Sequence, residues 1–128
     1  MKYFNILELT QTSTKLDNNP NQDEIKNLIL LVDNVLDPLR EAINNPIHIE
    51  SGYRSPLVNR EVGGSKTSAH MKGCAADITR GSKIKNKEMF DWIKNNCEFR
   101  QLINEYDYSW VHVEYRLGYN KKQILEIN

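Results

Sequence analysis

The sequence carries no surplus of charge: 17 Lys and Arg are matched by 17 Asp and Glu, so the formal net charge is zero. Overall charge therefore gives no reason to expect a nucleic-acid or membrane surface as partner. No apolar run approaches the roughly eighteen residues of a membrane span, and the opening MKYFNILELTQ reaches Glu8 before a signal-like apolar core develops. A protein made in the cytoplasm without a signal peptide is the expectation. Cysteine is scarce too. Cys74 and Cys97 are too few for a disulfide framework and match no CxxC zinc or redox pattern, which leaves free buried thiols as the reading. Repeats, linkers and low-complexity segments are also lacking. With 128 residues, 39% apolar and 27% charged, the chain reads as one globular domain over residues 1–128, long enough to bury an ordinary core.

The pattern that is present belongs to an α+β domain. Ile6, Leu7 and Leu9 allow a short first helix, and Asp17 to Asn21 break it. From Asp23, apolar residues at 25, 28, 29, 32, 35, 36, 39 and 43 form the stripe of an amphipathic helix. Pro38 either kinks it or sits in the first turn of a fresh start capped by Asp37. Ile47 to Ser51 alternates as a strand, Ser55-Pro56 opens a short helix that Gly63-Gly64 ends, and Cys74 to Thr79 is a further short strand. After a polar connection from Arg80 to Asn86, Lys87 to Asn96 reads as a helix. Arg100 to Tyr106 and Trp110 to Arg116 then read as a hairpin, and Gln123 to Ile127 as a last edge strand.

Chemistry-bearing residues concentrate between Ser51 and Thr79. The segment holds Arg54 and, further on, Ser68-x-His70-x-x-Gly73-x-Ala75-x-Asp77. His70 and Asp77 are too far apart for one helical turn but suit a loop and the strand it feeds. Trp110-Val111-His112-Val113-Glu114 alternates, so Trp110, His112 and Glu114 share one face. Two His and one Asp are the donors of a hydrolytic zinc site, which takes three protein ligands and keeps a fourth place for water. Taken singly, a strand His is more often a hydrogen-bonded structural residue, and an Asp beside Ala-Ala can simply cap a turn.

Taken jointly, Ser-x-His-x-x-Gly-x-Ala-x-Asp and Trp-Val-His-Val, with Ser51 to Pro56 and the Val62-Gly63-Gly64 turn, resemble the LAS metallopeptidases. That group contains zinc D-Ala-D-Ala carboxypeptidases, L-Ala-D-Glu phage endolysins and the hedgehog signalling domain. The resemblance covers about residues 24 to 115 and implies a hedgehog-like fold, a small antiparallel sheet packed against helices. It implies one zinc per chain on His70, Asp77 and His112. The general base of the family maps to Glu105, with Asp107 and, more remotely, Glu114 as alternatives. Arg54 is expected beside the substrate, on a carboxylate or a carbonyl, and Ser68 on the substrate or the metal-site loop. His48 matches no ligand position, and Cys74 is expected to pack rather than ligate.

The implied activity is hydrolysis of peptidoglycan stem peptides, as a D-Ala-D-Ala carboxypeptidase or an L-Ala-D-Glu endopeptidase. A phage-type endolysin or a wall-remodelling enzyme, monomeric and reaching the wall after holin-type release or lysis, fits that activity. The alternative is a non-catalytic zinc-containing binding module on the same scaffold. Loops at Lys83 to Lys87 and Tyr106 to Ser109 are expected to set which bond is cut.

Overall fold

The computed structural model describes residues 1–128. Its strands are β1 (His48–Ser51), β2 (Ala75–Thr79), β3 (Gln101–Glu105), β4 (Trp110–Glu114) and β5 (Gln123–Ile127), arranged in one sheet in the order β1-β2-β4-β3-β5. The pairings β1–β2, β2–β4 and β3–β4 are antiparallel. The β3–β5 pair is parallel, which the expectation of an antiparallel sheet does not include. The reason lies in where β4 ends. Glu114 stands opposite Gln101 at the start of β3, so the connection after it delivers β5 to that same end. There Lys122 N donates to Phe99 O and Gln123 N to Arg100 O.

The helices are α1 (Ile6–Leu9), α2 (Gln22–Leu31), α3 (Asp37–Ile43), α4 (Pro56–Glu61) and α5 (Lys83–Asn96). Asn21 caps α2 with Glu24 reciprocating, a capping box. The apolar stripe continues from α2 into α3, but through one π-type turn at Val32–Leu36. Pro38 brings no N–H, and Asp37 N reaches back to Val32 O instead of holding α-helical spacing. Asp37 does not cap the new helix, since its carboxylate accepts the backbone N–H groups of Lys2 at 2.6 Å and Tyr3 at 3.0 Å.

Helix α5 begins at Lys83, a turn before the predicted Lys87, so Lys83 to Lys87 is not a loop. Ser82 caps it by accepting from Lys85 N. Asn86 is buried there, its amide donating to Thr79 Oγ1 and the Tyr108 carbonyl while its oxygen accepts from Arg80 N. The turn reads as polar because its one buried position is an asparagine satisfied by hydrogen bonds.

Alternation gives the sheet two unlike faces. Ala76, Ile78, Leu102, Val111 and Val113 point into a cluster of 22 buried residues, together with Leu28, Leu31, Val32, Val35, Leu36 and Leu39 from α2 to α3 and Met89, Phe90 and Ile93 from α5. The other face carries Asp77, His112 and Glu114 side by side on β2 and β4, where Asp77 pairs with His112 and Ala75 with Glu114.

Two glycines hold the motif segment against this scaffold. A Cβ on Gly52 would lie 2.3 Å from the Leu9 carbonyl oxygen, so only glycine lets the chain after β1 pass the end of α1. Gly73 ends the 3-10 turn Ala69–Lys72 at φ 75°, and a Cβ there would lie 2.4 Å from the Glu24 carbonyl oxygen of α2. The hairpin joining β3 to β4 is tighter still. Tyr106, Asp107 and Tyr108 all have positive φ (51°, 56° and 59°), held by Tyr108 N donating to Asn104 Oδ1 and Ser109 N to Glu105 O.

Candidate metal centre and cleft

His70 stands in the 3-10 turn at the entrance to β2, and Ser68 starts that turn by accepting from His70 N at 3.2 Å. The His70 ring is buried and its Nδ1 donates to the Gly52 carbonyl at 2.7 Å. That bond leaves Nε2 as the free nitrogen, and it lies 3.4 Å from Asp77 Oδ2. Across the sheet, His112 Nδ1 lies 2.8 Å from Asp77 Oδ1. The ligand atoms of His70, Asp77 and His112 all fall within 4.8 Å of one another, and all three residues are buried. Donors on a tetrahedral zinc with bonds of about 2.0–2.1 Å stand about 3.4 Å apart. Two imidazoles and one carboxylate at such separations suit zinc in number, chemistry and size.

The far side of His112 is held as well. Its Nε2 donates to Glu114 Oε2 at 2.7 Å, and Glu114 Oε1 accepts from Arg100 Nη1 at 2.7 Å. Burial alone would raise Asp77, but hydrogen bonds from His112 and His70 outweigh it and hold the carboxyl well below its usual range. Burial would lower His112, but bonds to Asp77 and Glu114 dominate and raise it to about 9. Glu114 follows the same pattern: burial opposes ionisation, and His112 and then Arg100 more than offset it, lowering its pKa.

Arg54 lies against the same carboxylate, with Nη2 3.4 Å from Asp77 Oδ2, Nε donating to Ser51 Oγ and Nη1 to Asn59 Oδ1. The guanidinium is therefore held from three sides beside the only carboxylate of the three-donor cluster. Glu105 ends β3 diagonally across from His112, since Glu105 pairs with Trp110 and Ile103 with His112. Its Oε2 accepts from Trp110 Nε1 at 2.7 Å, and Oε1 has no partner within the protein. A cleft of about 390 Å³ runs over this face, with Ser68, Glu105, His112, Glu114 and Arg100 among its walls.

The two alternatives to Glu105 are placed elsewhere. Asp107 turns outward to pair with Lys83 at 2.8 Å, both side chains largely exposed. Glu114 is on the site face, but both its oxygens are engaged by His112 and Arg100. His48 is exposed on β1. Cys74 and Cys97 are free and buried, outside the three-residue cluster, and burial pushes both thiols up, Cys97 to about 11.

A model of the family described as Peptidase M15 matches residues 2–114 of the chain. The chain belongs to that family. It is also similar to a zinc D-Ala-D-Ala carboxypeptidase of Streptomyces albus G, at 43% identity over 49 residues. That match takes in 38% of this chain and 19% of the relative, so it spans less than a fifth of that relative's length. The α+β architecture and the three-donor cluster agree with an M15 zinc metallopeptidase.

Sequence reasoning missed two features of this M15 site. Glu114 bonds His112, a contact legible in its place two residues along the same strand face. Arg100 has no signal in the motifs, because it meets Glu114 only through the pairing of β3 with β4.

Proposed function

We propose that this M15 chain hydrolyses the stem peptides of bacterial peptidoglycan with one zinc held by His70, Asp77 and His112. The observation that carries the reading is the convergence of those three buried donors at one point, with His112 on the wall of a cleft that also holds Glu105 with one carboxylate oxygen free. Zinc, when bound, lowers the pKa of a coordinated water to about 7 and polarises a carbonyl.

The protein's part is division of labour among fixed side chains. The Gly52 carbonyl and the Glu114 carboxylate each take one ring N–H, so His70 Nε2 and, once its proton is displaced, His112 Nδ1 are the nitrogens that would hold the metal. Glu105 Oε1 receives a proton from the attacking water and delivers it to the leaving amine, while the Trp110 indole keeps the carboxylate in place through Oε2. Arg54 holds Asp77 and offers positive charge to an oxygen of the peptide as it becomes negative. Ser68 keeps the His70 turn in shape and presents its hydroxyl to the cleft.

The bond cut is a terminal D-Ala-D-Ala or an internal L-Ala-D-Glu linkage, and the role is that of an endolysin or a wall-remodelling enzyme. The test is digestion of purified peptidoglycan by protein of measured zinc content, with and without chelator, followed by mass spectrometry of the products. One zinc per chain and chelator-sensitive release are expected, and the fragment masses name the bond. Zinc without release from any wall type would overturn catalysis in favour of a binding module, and no zinc would overturn the ligand assignment.

A further inference from the structure

Beside the main cleft lies a second cavity of about 110 Å³, lined by Thr67, Ala69, Lys72, Cys74, Arg100 and Arg116. It shares Thr67, Ala69 and Arg100 with the cleft, so the two adjoin at the residue preceding His70. Half of its lining side chains are cationic and none is acidic, in a chain whose net charge is zero. Their charges are poorly compensated. Only Arg100 is paired, through one nitrogen with Glu114 at 2.7 Å, which leaves its remaining N–H groups available. Lys72 and Arg116 take part in no ion pair. The Arg116 guanidinium lies over the Tyr119 ring, 4.8 Å from its centroid, a contact that does not neutralise it.

The room suits a small anion. A water occupies about 30 Å³ in the liquid, so the cavity has room for a carboxylate. Guanidinium forks match carboxylate oxygens two by two.

We propose that this cavity is a carboxylate-binding subsite that anchors the peptide substrate next to the metal centre. The inference rests on the reading of the cleft as that of a peptidase. The carboxylate has two sources in a stem peptide, the chain terminus and the free α-carboxylate of the γ-linked D-Glu. Both present the same group to Lys72, Arg100 and Arg116.

The experiment uses three N-acetylated pentapeptides, Ala-γ-D-Glu-Lys-D-Ala-D-Ala with all carboxylates free, with the D-Glu α-carboxylate amidated, or with the C-terminus amidated. Zinc-loaded wild type is compared with Lys72→Gln and Arg116→Gln, at exposed positions where the fold is not at stake. Affinity is read by calorimetric titration and, in parallel, kcat and KM by product release. One of the two amidations is expected to weaken binding about tenfold, the scale of one lost hydrogen bond to a charged group, and its identity names the source. Each variant is expected to weaken the free peptide by a similar factor, with kcat within about twofold, and to erase the penalty of that amidation. Equal affinity of wild type for all three peptides, or an equal loss on all three in the variants, overturns the subsite. Failure to hydrolyse any of them despite discriminating affinity overturns the peptidase reading and leaves the subsite standing.

Discussion

Strand β4 serves two regions of the molecule with alternate residues. Val111 and Val113 enter the hydrophobic cluster, where each meets many neighbours and none in particular. His112 and Glu114, on the opposite face, meet a short series of named atoms: Asp77 Oδ1, Glu114 Oε2 and Arg100 Nη1. The core face depends on volume and accepts exchange among apolar residues of similar size. The site face depends on identity, because each buried polar atom must find its partner or lose its solvation for nothing. Substitutions on the two faces should therefore fail in different ways.

The largest effect is expected at Glu105. Glu105→Gln keeps the shape and an acceptor for the Trp110 indole but cannot carry a proton, and turnover should fall about 10²–10⁴-fold, the usual worth of general acid–base catalysis. Zinc content and melting temperature should stay near wild type. A variant that retains full turnover would remove Glu105 from the mechanism. On the core face, Leu31→Ala removes a fully buried side chain and should cost about 2–5 kcal/mol in denaturant unfolding. In it, activity per folded molecule should persist; loss of zinc affinity in the folded fraction would show that the two faces are not separable.

Glu114→Gln probes the link between His112 and the rest of the site face. Zinc affinity measured by chelator competition should weaken about 10–100-fold, the range for outer-shell partners of ligating histidines, and the metal-free protein should lose stability as well, since a buried charge pair is broken. An unchanged affinity would mean that Asp77 alone orients His112.

The metal-free protein offers a test by pH. The folded pKa of His112 is raised from 6.5 to about 9, so its contribution is full below about pH 6.5 and is lost as pH rises toward 9. Asp77 and Glu114 are shifted down, so their contribution is present above the ordinary carboxylate range and is lost in acid. Melting of chelated protein should accordingly peak between about pH 5 and 6.5 and decline toward pH 9. The zinc-loaded protein should lack the alkaline decline, because metal replaces that proton. A chelated protein whose stability is flat from pH 6 to 9 would argue against His112 being charged between two carboxylates.

The grouping of His70, Asp77 and His112 is legible only as a joint motif, whereas the faces of β4 are legible from local sequence, since two-residue alternation alone puts His112 opposite Val111 and Val113. Strand positions around the motif were legible for the same reason. What escaped depends on pairing between distant segments. The contact of Arg100 with Glu114 needs the β3–β4 register, and the parallel placement of β5 needs knowledge of where β4 ends. The first turn of α5 was hidden because its one buried residue, Asn86, is polar. Choosing among Glu105, Asp107 and Glu114 was likewise beyond spacing arguments, since all three lie on one hairpin and differ only in where its turn points them.

That turn supplies the smallest and most discriminating prediction. Asp107 adopts φ 56° in the middle of three successive left-handed residues, a conformation that costs a side-chain-bearing residue about 1–2 kcal/mol, and Asp less than most. Its only ion pair, with Lys83, is exposed on both sides and is worth little. Asp107→Gly relieves the backbone and forfeits that pair, while glycine adds some entropy to the unfolded chain. A net gain of about 0.5–1 kcal/mol is expected, read as a rise of about 2–4 °C in melting temperature. Turnover should not move, because the side chain faces away from the cleft that Glu105 lines. A loss of turnover without loss of zinc would instead give Asp107 the proton-transfer role. Asp107→Gly and Glu105→Gln, at two positions of one hairpin, thus separate a residue held for the turn from one held for the chemistry.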